Sequence, residues 1–173
     1  TNAVAVIFSA GHYPVIPTPT ETVSIRARVS NGERPVYLRW KKDADAVFQS
    51  IAMTPVSGTD LVAVIPPQGN RDLIEYYIEA EDAAGHLATW PPGAPVFQLA
   101  SGGEVPFTLR YLCLDAPAPN GVPSFRLLIP QETLDELQSR DLSSDELLPI
   151  TMTYGDEVFP FARYRYRGTL KRQ

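Results

Sequence analysis

The sequence predicts a mainly β protein, in which a β-sandwich over residues 1–100 is followed by a small, incomplete α+β region. Three observations lead to this prediction. The 173 residues include 17 prolines, which is about twice ordinary usage, and prolines disfavour long helices. Short segments of the first region alternate apolar and polar side chains, as half-buried strands do. After Gly102 and Gly103 the pattern changes to a mixture of strands and helix.

Seven or eight short strands follow one another in the first region, separated by turns rich in Gly, Pro and Asn. They are predicted at residues 4–8, 22–30, 36–40, 48–53, 61–65, 73–82, 86–90 and 96–99. The first strand ends at Gly11, and a charged turn at 41–45 follows the third. In the second strand the apolar residues share one face, which we expect to be buried: Val23, Ile25, Ala27 and Val29.

The strand at 73–82 has the clearest alternation. Its inward residues are predicted to be Ile74, Tyr76, Ile78 and Ala80, and its outward residues Glu75, Tyr77, Glu79 and Glu81. Paired carboxylates can perform general acid/base catalysis. These carboxylates alternate along a single face, however, and no other feature of the sequence favours catalysis. We therefore interpret them as residues of a solvated face.

Trp40 indicates which class of β-sandwich the first region resembles. It falls on the inner face of the third strand, together with Val36 and Leu38. A buried tryptophan at this place, within seven or eight short strands, is typical of immunoglobulin/fibronectin-like sandwiches. Cys113 is the only cysteine, so the intramolecular disulfide of antibody domains is excluded. We expect Cys113, which lies between two leucines, to be a small buried hydrophobic residue.

A linker is predicted at Ser101–Gly103, and residues 101–121 are assigned to a linker strand (107–114) and a Pro-rich connector (116–121). Residues 122–173 form the α+β region. Its predicted elements, in order, are a strand at 122–129, a helix at 131–139, a helical turn at 143–146 that Pro149 ends, and strands at 150–154 and 158–167 joined by a hairpin turn at Gly155 and Asp156.

Charge and composition exclude several classes of function. The net charge is −5, which makes nucleic-acid binding an unfavourable interpretation. The longest apolar stretch, residues 3–8, is far shorter than the roughly 20 residues that a membrane-spanning helix requires. His12 and His86 lie in Gly-flanked loop sequence, and neither has the spacing of a metal ligand. We expect no metal, no cofactor and no catalytic residue in this chain.

Two segments resemble known families. The run Glu75–Gly85 resembles the late-strand signature of bacterial immunoglobulin-like modules that flank extracellular domains. The run Pro123–Leu137, in which an apolar-Arg-apolar strand leads into a Leu-x-x-Leu helix, resembles the opening of the CotH (spore-coat protein H) kinase-like family. Tyr164–Gly168 is similar to the Val-Arg-x-Arg-Gly step of that family. This second resemblance covers residues 122–168, which correspond to the front of such a domain.

The resemblance implies an exported bacterial protein, located in the periplasm, outside the cell or on its surface. Its partners would be a downstream domain of the same protein or another cell-surface protein. The family's catalytic aspartates come later in its domain and have no counterpart here, so the resemblance implies a non-catalytic, structural chain. The alternative is that the chain is the N-terminal part of an ATP-dependent protein kinase-like phosphotransferase, whose parent would use ATP and a divalent metal.

Two sets of residues are candidates for binding. Basic residues near the end of the chain can face an anion or phosphate, or can pair with the acidic residues of 132–146; in this set Arg163, Arg165 and Arg167 alternate on one strand face, ahead of Gly168, Lys171 and Arg172. Exposed aromatic side chains can form a platform for carbohydrate or a surface partner; these candidates are Tyr13, Tyr37, Tyr77 and Trp90. The carbohydrate- or surface-binding module is thus a third alternative.

Overall fold

The computed structural model describes residues 4–31, 34–115, 124–141 and 143–166. Within these ranges the chain forms fourteen strands and one helix, which confirms the prediction of a mainly β protein. The elements are β1 (Val6–Tyr13), β2 (Val23–Ser30), β3 (Tyr37–Lys42), β4 (Gln49–Ala52), β5 (Thr54–Ser57), β6 (Asp60–Ile65), β7 (Leu73–Glu81), β8 (Leu87–Trp90), β9 (Val96–Gln98), β10 (Glu104–Pro106), β11 (Leu109–Leu112), β12 (Phe125–Leu128), α1 (Gln131–Ser139), β13 (Leu148–Tyr154) and β14 (Glu157–Tyr164).

Two antiparallel sheets enclose the larger core. One has the strand order β1-β2-β6-β5, and the other has the order β11-β7-β3-β4. β8 also pairs with β7, along the C-terminal half of that strand, whereas β11 pairs with its N-terminal half. Side chains from both sheets form a single hydrophobic cluster, which we call the first core. Its fully buried members include Ile25, Leu38, Ile65 and Ile78. Burial of each such side chain stabilises the fold by about 1.5–3 kcal/mol. The arrangement is consistent with a β-sandwich.

Strand periodicity predicts the faces of the first core correctly. Val23, Ile25, Ala27 and Val29 of β2 are all buried, and Leu38 and Trp40 of β3 are buried beside them. The prediction of a charged turn at 41–45 is wrong at its start, because β3 continues to Lys42. The predicted strand 48–53 corresponds to β4, which pairs with β3, whereas the next strand, β5, was not predicted and pairs with β6. The chain therefore crosses from one sheet to the other near Met53, whose side chain is buried in the first core.

The sequence predicts that the first strand ends at Gly11, but the strand continues beyond that residue. β1 passes through Gly11 and His12 to Tyr13, and it is paired with β2 along this length. A break in the register lies between Ile7 and Ser9. Since Gly11 has no positive φ and pairs with Arg26, it behaves as an ordinary strand residue. His12 accordingly lies in a strand rather than in a loop.

A second, smaller core lies beside the first. It contains the buried side chains of Leu99, Val105, Leu137 and Leu148, with partly buried apolar residues around them. These residues come from the β9–β10 hairpin, from α1 and from the sheet β12-β13-β14. The second core therefore unites segments that are about fifty residues apart in sequence.

Two elements predicted around residue 100 differ in the structure. The linker at Ser101–Gly103 is the turn of the β9–β10 hairpin, in which Gly102 has a φ of 90° and its N–H donates to the carbonyl of Leu99. The strand at 96–99 thus belongs to this hairpin and to neither of the two sheets around the first core. The strand that joins one of those sheets is β11, which was assigned to the linker and pairs with β7. The Pro-rich connector at 116–121 lies outside the described residues.

The helix α1 has the predicted bounds of 131–139, and the β13–β14 hairpin turns at Gly155, which has a φ of 56°. Residues 143–146 form no helical turn, and Pro149 lies within β13. Because β12 pairs only with Thr151–Tyr154, Pro149 has a strand on one side alone. Its missing N–H is therefore tolerated there. Within the described residues, no helix is both long and apolar enough to cross a membrane.

Candidate functional site

The two cores meet at a buried polar face of β7 and β11. Glu75 and Arg110, which pair across these strands, are only 0% and 1% exposed, and Lys41 on β3 is 6% exposed. The prediction that Glu75 and Tyr77 lie on a solvated face is therefore wrong. They point away from the first core, as the alternation requires, but other parts of the chain cover them.

Glu75 is the centre of this polar cluster. Its Oε2 accepts a hydrogen bond from the Thr108 hydroxyl at 2.6 Å and lies 3.5 Å from Arg110 Nε. Its Oε1 lies 3.6 Å from Lys41 Nζ. Arg110 also donates from Nη2 to the carbonyl of Pro106 at 2.8 Å. Two cations therefore share one carboxylate out of contact with water. Burial lowers the pKa of Arg110, while Glu75 opposes that effect.

Asp43 connects this cluster to the second core. Its carboxylate accepts from the backbone N–H of Gln131 at 3.0 and 3.2 Å, and this N–H is one of the groups that the first turn of α1 leaves free. The carboxylate also suits the positive end of the helix dipole. Burial raises the pKa of Asp43, and the nearby Glu75 adds to the rise, whereas the bond from Gln131 lowers it. Within the second core, the N–H of Ala100 donates to Glu146 Oε1 at 2.8 Å.

An open groove lined by aromatic rings lies at the same junction. We define the aromatic groove by Trp90, Phe97, Phe107, Phe161 and Arg163. Its volume is about 560 Å³. The rings of Phe161 and Trp90 are 6.0 Å apart in an edge-to-face arrangement, and those of Phe97 and Phe107 are 6.1 Å apart. The Arg163 guanidinium lies 4.5 Å from the Phe97 ring centre and 5.7 Å from that of Phe107.

The predicted basic stripe divides between two surroundings. Arg163 stacks on the rings of the aromatic groove. Arg165 forms an ion pair with the carboxylate of Asp145 and also donates to its backbone carbonyl at 3.1 Å, which is the acidic pairing considered as the alternative to phosphate binding. The other predicted members of the stripe, Arg167, Gly168 and Lys171, lie outside the described residues.

The predicted aromatic platform is not brought together. Tyr13, which is 76% exposed, lies at the end of β1. Tyr37 and Tyr77 lie on the outer face of β3 and β7, where Tyr77 is buried against Phe48. Of the four candidates, Trp90 alone lines the aromatic groove. The rings that accompany Trp90 were not predicted, because they come from β9, β14 and the segment before β11.

A smaller cavity of about 210 Å³ lies near the edges of β1 and β11, and His12, Tyr76 and Arg110 are among its lining residues. His12 Nδ1 is 2.9 Å from the Tyr76 hydroxyl, and its ring centre is 5.2 Å from that of Tyr111. Burial lowers the pKa of His12 to about 4, although a hydrogen bond to Val15 opposes this effect. The imidazole is therefore neutral near pH 7.

Cys113 is 1% exposed, which confirms its prediction as a small buried residue. Burial raises the pKa of its thiol to about 11, so the thiolate that acts as a nucleophile is scarce at pH 7. Among the residues that the structure describes, no three His, Cys, Asp or Glu side chains are grouped so as to hold a metal ion.

Together, the fold and the junction define a mainly β protein in which a small α+β region contacts a larger pair of sheets through Asp43 and Trp90. No family model matches the sequence, and no curated protein matches it either.

Proposed function

We propose that this chain is a non-catalytic structural and interaction module, in which an immunoglobulin-like first region positions the α+β region. The observation that carries the proposal is the buried junction. Glu75 contacts Arg110 and Lys41 on the outer face of a sheet, where charges are ordinarily left in water. Burial of charge is costly unless the charges are paired and hydrogen-bonded. A junction of this kind favours one arrangement of the two regions over others.

Hydrogen bonds that cross the junction support a fixed orientation of the second core relative to the first region. The Asp43 carboxylate binds the first N–H of α1, and the Arg110 guanidinium donates to the carbonyl of Pro106 in β10. Both bonds involve a charged group, and such bonds are roughly twice as strong as those between neutral groups. They attach the second core at two separate points, which limits rotation about either of them.

An exposed apolar face on the second region supports the interaction part of the proposal. Phe125 is 67% exposed, Leu127 46% and Phe159 41% on the sheet β12-β13-β14. Contiguous apolar surface of this kind commonly marks a site of protein interaction. We propose that a downstream domain or another cell-surface protein covers this face. The resemblance of residues 122–168 to the front of CotH-like domains favours an exported bacterial protein.

Residual dipolar couplings test the positioning role. In the wild type, we expect the amides of β2, β3 and β7 and those of α1 and β13 to fit a single alignment tensor. The variant Asp43→Ala removes the charged acceptor that the first region offers to α1. We expect its two sets of amides to require different tensors, because the second region then reorients relative to the first.

The matched control is Asp45→Ala, which removes an exposed carboxylate from the same segment. It should keep the single tensor. The proposal is wrong if the wild type already requires two tensors, or if the junction variant and the control behave alike.

A further inference from the structure

Arg163 of the aromatic groove is stacked on aromatic rings and exposed at the same time. Its guanidinium lies over the Phe97 and Phe107 rings, yet the residue is exposed. Within the part of the chain that the structure describes, it has no ion-pair partner, whereas Arg165 on the same strand is paired with Asp145. Stacking on a ring face fixes the plane of a guanidinium and leaves the N–H groups at its edge available.

We propose that the aromatic groove binds an acidic oligosaccharide, with Arg163 receiving a uronate carboxylate and the rings of Trp90 and Phe161 contacting the sugar. A guanidinium binds a carboxylate through two parallel hydrogen bonds. The C–H faces of a sugar ring are apolar and contact aromatic side chains. The groove volume of about 560 Å³ lies within the range of roughly 300–1,000 Å³ that is usual for small-ligand sites.

Charge complementarity favours an anionic ligand at this position. The protein carries a net charge of −5, so its overall field does not attract anions and the attraction must be local to Arg163. Glu104 of the adjoining β10 accepts from the Gln98 side chain at 2.5 Å across the β9–β10 hairpin. Gln98 thereby holds this carboxylate on its own hairpin.

The strand at the groove favours a saccharide over a peptide. An extended peptide commonly binds by adding a strand to a sheet edge, where backbone hydrogen bonds supply the affinity. β9 is only three residues long, so it offers few backbone groups to an added strand. Side-chain faces and one cation are the main contacts that the groove provides.

Isothermal titration calorimetry on the full chain tests the proposal with tetragalacturonate as the acidic probe. Cellotetraose serves as the neutral saccharide and tetraglutamate as the acidic peptide. We expect tetragalacturonate to bind at least tenfold more tightly than either of the other probes. Arg163→Gln should weaken its binding by at least tenfold, and Phe161→Leu should weaken it severalfold.

Arg26→Gln, which removes an exposed arginine from β2, is the matched control and should leave binding unchanged. Amide spectra of each variant show whether it remains folded. Equal binding of cellotetraose would overturn the role of Arg163. Equal or tighter binding of tetraglutamate would overturn the assignment of a saccharide as the ligand. Failure of tetragalacturonate to bind at millimolar concentration would overturn the site itself.

Discussion

The two cores differ in what holds them together. Among the described residues, nineteen buried side chains contribute to the first core and four to the second. The first core is filled by alternating apolar residues of two sheets. The second is assembled from a hairpin, a helix and a three-stranded sheet, and Asp43 and Arg110 of the first region join it through hydrogen bonds. Since stability rises with buried apolar area, we infer that the second core depends on its attachment to the first.

Removal of a core leucine from each region gives the largest expected effect. Leu38 and Leu148 are both 0% exposed. We expect Leu38→Ala to lower the free energy of unfolding by about 3–5 kcal/mol and Leu148→Ala by about 2–3 kcal/mol, because the smaller core has fewer neighbours to lose and relaxes more. Denaturant titrations followed by circular dichroism measure both. A larger loss for Leu148→Ala would contradict the ranking of the two cores.

Neutralising Glu75 is expected to have the next largest effect. Glu75→Gln removes the carboxylate that contacts Arg110 and Lys41 and leaves only Asp43 nearby, and we expect a loss of about 3 kcal/mol in the free energy of unfolding. Glu79→Gln is the matched control on the same strand. It breaks the partly exposed ion pair with Arg39 and should cost less than about 1 kcal/mol. Equal losses in the two variants would show that the junction does not depend on buried charge.

Acidification should weaken the first region through His12. Because burial lowers its pKa to about 4 from 6.5, the unfolded chain binds a proton between these values while the folded chain does not. Stability is therefore complete above pH 6.5 and falls as the pH decreases toward 4, by roughly 2–3 kcal/mol. Unfolding titrations at pH 7 and pH 4.5 measure this loss. In His12→Gln the pH dependence should shrink by most of that amount; an unchanged dependence would mean that other groups cause it.

The smallest expected effect comes from the hairpin turns. Gly155 in the second region and Gly58 in the first have φ values of 56° and 53°, which side chains with a Cβ rarely adopt. Replacement by Ala should cost about 1 kcal/mol at either position. Gly11→Ala is the control, because Gly11 has no positive φ and its added Cβ would meet no atom within 4 Å. Thermal melts compare the three variants, and a loss for Gly11→Ala as large as the others would contradict this explanation.

Local patterns predicted much of the fold. The buried faces of β2 and β3 follow from alternation, and the bounds of α1 follow from its flanking residues. Alternation also predicted that Glu75 points away from the first core, but not that it is buried there with Thr108 and Arg110. The pairing of β11 with β7 was missed because the glycines at 102 and 103 read as a linker. Gly102 in fact turns a hairpin of only three residues a side.

The candidate site was less predictable for the same reason. Asp43 binds a residue 88 positions away in sequence, and nothing in its own turn indicates that partner. The aromatic groove likewise combines Trp90, Phe107 and Phe161 from separate segments. Only Trp90 and Arg163 were singled out from the sequence, and they were assigned to different candidate sites. Contacts of this kind depend on tertiary structure, which short-range periodicity does not encode.

Hydrogen exchange of Asp43→Ala measures the dependence of the second core on the junction most directly. Loss of the carboxylate frees the first N–H of α1 and weakens the attachment of the second core. We predict that exchange accelerates severalfold in α1 and at the central amides of β13, while the amides of β2 and β6 keep their wild-type rates. Unchanged rates in α1 and β13, or an equal acceleration throughout the chain, would contradict the claim that the junction holds the second core in place.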